Sequence, residues 1–280
     1  MHRRQLIKLL GTLPLASLSG TVAAEARPLR LGIMPFNSTL ALFKTHQPLR
    51  LYLQNTLGRP VELYTAADYF SFLNDSLAGS YDLAITGPHF GVMGLQKGQE
   101  ALVRYKATLQ PVFVVRPSSE IRSLDDLRGK RIGLSSRLSI SSIGGVKWLL
   151  DHDLRMGRDY QLFERATHGA AVAAVAVGEL DAALTTHTPL HQVPEDVRAK
   201  VVVMPIDVRV PHLMTMAHSR LGKAEISRIR ATLLRFGNTP EGQEFFRSTG
   251  YEGYQEVTQA DIQALAPYVE LTRSLLSHPS

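Results

Sequence analysis

Short apolar runs alternate with helix-like segments along this chain, and that alternation narrows the fold more than any other feature. Residues 29–34 (LRLGIM) form an apolar run ended by Pro35. A helical stripe of Leu49, Tyr52, Leu53 and Leu57 follows over 48–57 and is stopped by Gly58. Residues 61–65 read as the next strand, and Asp68 stands where it can cap a helix bearing Phe72, Leu73 and Leu77. A third strand over 81–86 runs into Gly87-Pro88, with a helix expected over 89–97. Strands alternating with helices build βα units and a mainly parallel sheet.

The rhythm then changes. Residues 103–115 (VRYKATLQPVFVV) form one long strand-like run, broken only by Pro111, of a kind that can cross from one lobe to another. Beyond it come a helical piece at 124–127, a strand at 131–134, a strand ending at Phe163, a helix over 170–177 stopped by Gly178, and strands over 180–185 and 201–204. Residues 207–212 suit a return crossing, and from Lys223 onward the periodicity is helical. Two crossings imply two lobes with a cleft between them. In open α/β sheets ligands bind beyond the carboxyl ends of the strands, where loops enter helices.

Composition sets the outer limits. With 280 residues, 44% hydrophobic, the chain can fill two modest cores. It has no cysteine, which removes disulfides, thiolate metal sites and a lipid-bearing cysteine together. No metal and no cofactor are expected. The net charge of +6 suits an anionic ligand, but no Lys/Arg block marks a nucleic-acid arm. Residues 1–26 read as an export leader. Arg3 and Arg4 precede an apolar stretch over 6–18, and Ala24-Glu25-Ala26 is a small-x-small cleavage signature. The stretch is short and interrupted by Gly11 and Pro14, so a spanning helix is not expected. The arginine pair resembles a twin-arginine signal, though Sec signals also carry such pairs. A soluble periplasmic product is expected.

The chemistry concentrates in residues 128–150 (RGKRIGLSSRLSISSIGGVKWLL). A strand at 131–134, a serine-rich turn at 135–142 and an apolar helix from Ile143 leave unpaired backbone N–H groups at a helix start. Ser139, Ser141 and Ser142 add hydroxyl donors there, which suits an anion. The plainer reading is one serine capping the helix and the others solvated. Two further strand-to-helix junctions carry ligand-capable groups, Thr86-Gly87-Pro88-His89 and Thr167-His168. Neither a G-x-S-x-G elbow nor a glycine-rich phosphate loop is present, so a binding protein is expected rather than an enzyme. The contrasting reading is a periplasmic phosphoester hydrolase.

The order Pro48-Leu49, Tyr52-Leu53, Leu57-Gly58, Pro60-Val61-Glu62-Leu63, Ala67-Asp68-Tyr69 and Tyr81-Asp82-Leu83-Ala84 before Gly87-Pro88 resembles the phosphonate/phosphite-binding periplasmic proteins of ABC importers. The likeness continues through Leu124-Asp125-Asp126-Leu127-Arg128-Gly129-Lys130, the serine loop, Thr167-His168 and Gly178-Glu179-Leu180-Asp181. It implies an α/β, two-lobed type II periplasmic-binding fold with a hinge, closing on an oxyanion. It implies a leader over 1–26, a first lobe over 27–108 and 207–280, and a second lobe over 109–206. The implied ligand-binding set is Tyr69, His89, Ser139, Ser141, Ser142, Thr167, His168 and Asp207. The family's S-T-S loop falls on Ser139-Ile140-Ser141, and its Gly-Ser-His-Asp motif on Ala166-Thr167-His168-Gly169, so a threonine and an acid are replaced here. Asp207 would stand for the acid that some members aim at a ligand amine. Arg137 would neutralise a doubly charged anion or remain solvated, and an imidazolium at His168 would make affinity fall as pH rises. Ser135 is expected to be neutral to binding. The implied partners are a small phosphonate, phosphite or phosphate-like oxyanion and a membrane ABC permease, with a sensor histidine kinase as the alternative and a monomeric state. The leader reading predicts that N-terminal sequencing of periplasmic material starts near Arg27. A membrane-bound product retaining Arg3 and Arg4 would contradict it.

Overall fold

The computed structural model describes residues 27–277, so the leader expected over 1–26 lies outside the described residues. The chain begins with the expected βα rhythm. β1 (Leu29–Ile33), β2 (Val61–Tyr64) and β3 (Leu83–Thr86) are connected by α1 (Thr39–Leu57) and α2 (Tyr69–Leu77), and α3 (Pro88–Leu95) leads into β4 (Glu100–Tyr105). β1 pairs in parallel with β2 on one side and β3 on the other. The chain leaves this sheet through β5 (Thr108–Leu109).

A second sheet follows, built from β6 (Pro111–Val115), β7 (Arg131–Leu134), β8 (Gln161–Glu164), β9 (Ala182–Thr186) and β10 (Val202–Pro205). Its helices are α4 (Ile140–Asp151), α5 (His168–Ala176), α6 (His187–His191) and α7 (Glu195–Arg198). The strand order is β10-β6-β9-β7-β8. Both faces of this sheet are covered, which is why β6 reads as a continuous apolar run and every residue of β9 is buried. Phe113, Val115, Ala182 and Leu184 point to one core, while Val114 and Ala183 point to the other.

The return path is β11 (Val210–Pro211), which pairs antiparallel with β5, Leu109 opposite Val210. The two crossings are thus hydrogen-bonded to each other as a narrow ribbon. β12 (Met214–Ala217) then inserts between β3 and β4, antiparallel to both. α8 (Lys223–Phe236), α9 (Pro240–Thr249), β13 (Tyr254–Gln255) and α10 (Gln259–Ser277) complete the chain, giving the first sheet the order β13-β4-β12-β3-β1-β2. Beside the ribbon, Leu109, Ile140, Val210, Leu265 and Val269 share one apolar cluster, so α10 packs on elements of both lobes. Among the described residues no helix is long and apolar enough to cross a membrane.

Two elements differ most from the sequence expectation. The helix expected over 48–57 starts at Thr39, capped by the Ser38 hydroxyl, which accepts the Ala41 N–H at 3.3 Å. Pro48 lies inside it. Proline removes one backbone bond from a helix, yet the buried stripe Leu42, His46, Leu49, Leu53 and Leu57 runs straight through, and tertiary burial holds the helix together. The single run expected over 103–115 is three strands, β4, β5 and β6, because the backbone leaves one sheet, joins the ribbon and enters another.

Asp82 ties the base of the first lobe together. Its buried carboxylate accepts from the Arg30 backbone N–H (2.9 Å), from Arg27 Nη2 (2.6 Å) and from Arg220 Nε and Nη2 (2.9 and 2.8 Å). Burial opposes its ionisation, but these bonds outweigh burial and hold it below the ordinary carboxylate range. β1, β3 and the segment after β12 are joined through this one side chain. Asp82→Ala should therefore cost about 1–3 kcal/mol in urea unfolding, the Arg30 N–H losing its acceptor while the part-exposed arginines return to water. A cost under about 1 kcal/mol would mean the network is not structural.

Candidate functional site

The serine loop after β7 is the cap of α4. Ser139 Oγ accepts the Ser142 N–H at 3.1 Å, as an N-cap side chain should. The same oxygen lies 2.9 Å from Ser141 Oγ and 2.7 Å from Ser142 Oγ. All three hydroxyls are buried. The helix therefore begins at Ile140, three residues before the expected start, and its first N–H groups, those of Ile140 and Ser141, have no intrahelical acceptor. Both readings of this loop hold together: one serine caps, and its neighbours remain at the mouth of the helix.

Two more helices start at the same place. α5 is capped by Thr167, whose Oγ1 accepts the Ala170 N–H at 3.0 Å, and opens on His168. α2 is capped by Asp68 and opens on Tyr69. Tyr69, Ser139, Ser141 and His168 line one small cavity of about 30 Å³, with the apolar Phe36 and Leu213 among their companions. Three positive helix ends converge there. No Asp, Glu, Lys or Arg is among the residues lining it.

The polar groups at the cavity are neutral and partly unpartnered. The Tyr69 hydroxyl and His168 Nδ1 are buried without a hydrogen-bond partner among the described residues. His168 Nε2 lies 3.2 Å from Ser135 Oγ. Burial lowers the His168 pKa to about 4 and raises that of Tyr69 well above the ordinary phenol value, the neighbouring Ser135 hydroxyl opposing the rise. At neutral pH His168 is therefore an imidazole in this cavity, and an imidazolium there needs an anion beside it. Ser135, expected to be neutral, is the residue that orients His168.

Other expected residues lie elsewhere. His89 is buried, but its Nε2 bonds the Leu138 carbonyl (2.9 Å) across the lobes, and it does not line the cavity. Ser142 turns its hydroxyl to Ser139 and borders a separate apolar groove between α4 and α10. The Thr167 hydroxyl is spent on its cap. Asp207 is exposed and accepts from Trp148 Nε1, well occupied away from the cavity. Arg137 pairs with Glu164 at 3.2 Å. His187 and His191 stand four residues apart on α6, yet among the described residues no group of three or more His, Asp or Glu comes together to hold a metal ion.

Sequence reasoning missed Thr186, Thr188 and His212, all buried at the cavity. The available signal was position. Thr186 and Thr188 follow the carboxyl end of β9, and His212 ends the return crossing.

Comparison with known proteins accords with this geometry. Residues 31–262 match the family model described as ABC transporter, phosphonate, periplasmic substrate-binding protein. The chain belongs to this family of phosphonate-type periplasmic substrate-binding proteins of ABC transporters, which are binding proteins and not enzymes. Its fold is that of PhnD1 from Prochlorococcus marinus (MIT 9301), solved in complex with methylphosphonate, with a TM-score of 0.77 at 15% identity, 89% of this chain and 98% of that chain being covered. It is equally that of a binding protein component of an ABC phosphonate transporter from Pseudomonas aeruginosa (TM-score 0.76, 13% identity, 89% and 96% covered). A Xanthomonas citri protein bound to chloride ion is also similar (TM-score 0.71, 18% identity, 88% and 98% covered).

The cap and the cavity-facing hydroxyl are separable. Ser139→Ala should cost about 1 kcal/mol in denaturant unfolding through the lost cap. Ser141→Ala, whose hydroxyl caps nothing, should cost less than half of that. Equal costs would mean that Ser139 is not the functional cap of α4.

Proposed function

We propose that this protein captures a small phosphonate-, phosphite- or phosphate-like oxyanion between its lobes and delivers it to a membrane ABC permease. The observation that carries the reading is the convergence of three helix N-termini on one buried, uncharged cavity. Such a site favours negative charge through backbone N–H groups and aligned dipoles, without a lysine or arginine. In this reading the Ile140 and Ser141 N–H groups, the Ser139 and Ser141 hydroxyls and the Tyr69 hydroxyl donate to the anion. His168 donates through Nδ1, with the Ser135 hydroxyl donating to Nε2 and so fixing that tautomer. His89, Ser142 and Thr167 act one step back, holding the loop and caps that aim these donors. Asp207 has no part in binding.

The two crossings would act as the hinge, with the first lobe over 27–108 and 207–280 and the second over 109–206. Closure would complete the site, because donors on α2 and on α4 and α5 belong to different lobes. The leader over 1–26 would direct the chain to the periplasm and be removed, and the mature protein would work as a monomer.

A thermal-shift screen of phosphate, phosphite, methylphosphonate, sulfate, arsenate and arsenite tests the reading. A ligand at a hundred times its Kd stabilises a folded protein by about 2.7 kcal/mol. Phosphite or methylphosphonate should raise the melting temperature, and Ser141→Ala should weaken binding by about 1.5–3 kcal/mol, roughly ten- to more than a hundredfold. No shift with any of the six, or full affinity in Ser141→Ala, would contradict it.

A further inference from the structure

His212 lies between β11 and β12, on the path back into the first lobe, and is 1% exposed. Its Nδ1 accepts the Leu213 backbone N–H at 2.8 Å, so that nitrogen carries a lone pair and the ring proton sits on Nε2. Nε2 then donates to Thr188 Oγ1 at 3.1 Å. Thr188 belongs to α6, which follows β9 of the other sheet. Beside this bond, Gln192 donates to the Tyr251 hydroxyl (3.3 Å), and Asn37 reaches Gln192 Oε1 at 3.5 Å. Each contact joins one lobe to the other and exists only while the lobes meet.

The surroundings of the ring disfavour a second proton. It packs edge-on to Tyr105 and Tyr251 with centroids at 5.5 and 5.1 Å, and burial keeps both phenols protonated. The charged or titratable groups acting on it are Arg104 from β4, itself paired with Asp261 at 2.9 Å, and His187 from α6. Glu252, beside Tyr251, acts on His187. A proton added at Nδ1 would face the Leu213 N–H, donor against donor.

We propose that His212 is an interlobe latch: its neutral imidazole bolts α6 to the first lobe and holds the cleft shut, and protonation releases it. Both side chains border the cavity, and the bond to Thr188 makes His212 a positioning residue for the oxyanion site through closure. In the closed form burial first, and then His187 and Arg104, lower its pKa to about 3. Once Thr188 and His187 withdraw, water reaches the ring edge and part of this lowering is relieved, while Tyr105, Tyr251 and the Leu213 N–H stay with the ring on its own lobe. The closed form thus binds fewer protons than the open one. The latch is at full strength at neutral pH and weakens as pH falls, by at most about tenfold in the closure equilibrium per pH unit. The part of this inference that concerns ligand affinity rests on the oxyanion reading, while the part that concerns closure does not.

The chain has no cysteine, so dyes can be placed at Leu40→Cys and Val177→Cys, exposed positions (80% and 69%) on opposite lobes. Energy transfer between them reports closure without any ligand. It should fall between pH 7.5 and 5.0 in the otherwise unaltered protein. The fall should be clearly smaller in His212→Gln, which keeps a donor at the Nε2 position but does not titrate, the remainder belonging to the other interlobe histidine, His89. Thr188→Val, which leaves the histidine and removes its acceptor, should be more open already at pH 7.5, with thermal unfolding confirming that each variant is folded. Identical pH responses in the unaltered protein and His212→Gln would overturn the latch, as would a Thr188→Val protein that is fully closed. With methylphosphonate as probe, lowering pH from 6.5 to 5.0 should weaken the unaltered protein more than His212→Gln, by at most about thirtyfold, the probe's own titration cancelling in the ratio. Absent binding in both, alongside the predicted transfer change, would reject methylphosphonate as ligand and leave the latch standing.

Discussion

A buried anion without a countercharge must be held by dipoles and hydrogen bonds, and the rest of this structure serves that constraint. Such donors have little effect in water, where solvent competes for the anion, and a large effect in a cavity that excludes solvent. The cavity between the lobes meets this condition with groups that need no desolvation of their own charge. Tyr69, Ser139, Ser141 and His168 are neutral, and their caps fix the three helix starts within the same small space. An arginine in their place would bind more strongly in isolation but would have to be desolvated and paired whenever the ligand was absent.

The topology supplies what the helices cannot. α2 rises from the first sheet and α4 and α5 from the second, so their N-termini meet only through the arrangement of the lobes. The β5–β11 ribbon and the apolar cluster around Leu265 and Val269 connect those sheets on one side of the cavity. Hydrogen bonds from His89, Gln192 and His212 connect them elsewhere. Backbone pairing and apolar packing of this kind are insensitive to pH, whereas the histidines that bridge the lobes are buried where a second proton is disfavoured. In the proposed function the first sort of contact serves as the hinge and the second as a reversible closure.

Much of this was legible in the sequence where local chemistry decides the outcome. The strand at 131–134, the cap at Asp68 and the serine helix start all follow from short-range rules, and all occur, while Thr167, read as a ligand hydroxyl, caps α5. What was not legible depends on long-range packing. Pro48 reads as a helix start, but the burial of Leu42 and His46 carries α1 back to Thr39. Asp207 stands, by the resemblance, for an acid aimed at a ligand amine, but only the fold shows that Trp148 reaches it and that it faces solvent. Thr188 and His212 are 24 positions apart and carry no shared motif, so nothing local announces that they border one cavity, nor that Ser135 reaches His168 beside it.

A crystal structure of the complex with methylphosphonate at neutral pH is the most direct test of an oxyanion held by neutral donors. The expected result places the phosphonate oxygens within hydrogen-bonding distance of the Ser141 N–H, the Ser139 and Ser141 hydroxyls, the Tyr69 hydroxyl and His168 Nδ1, with no lysine or arginine in contact. A ligand seated outside this cavity, or one held there by a guanidinium or ammonium group drawn in from the surface, would contradict it.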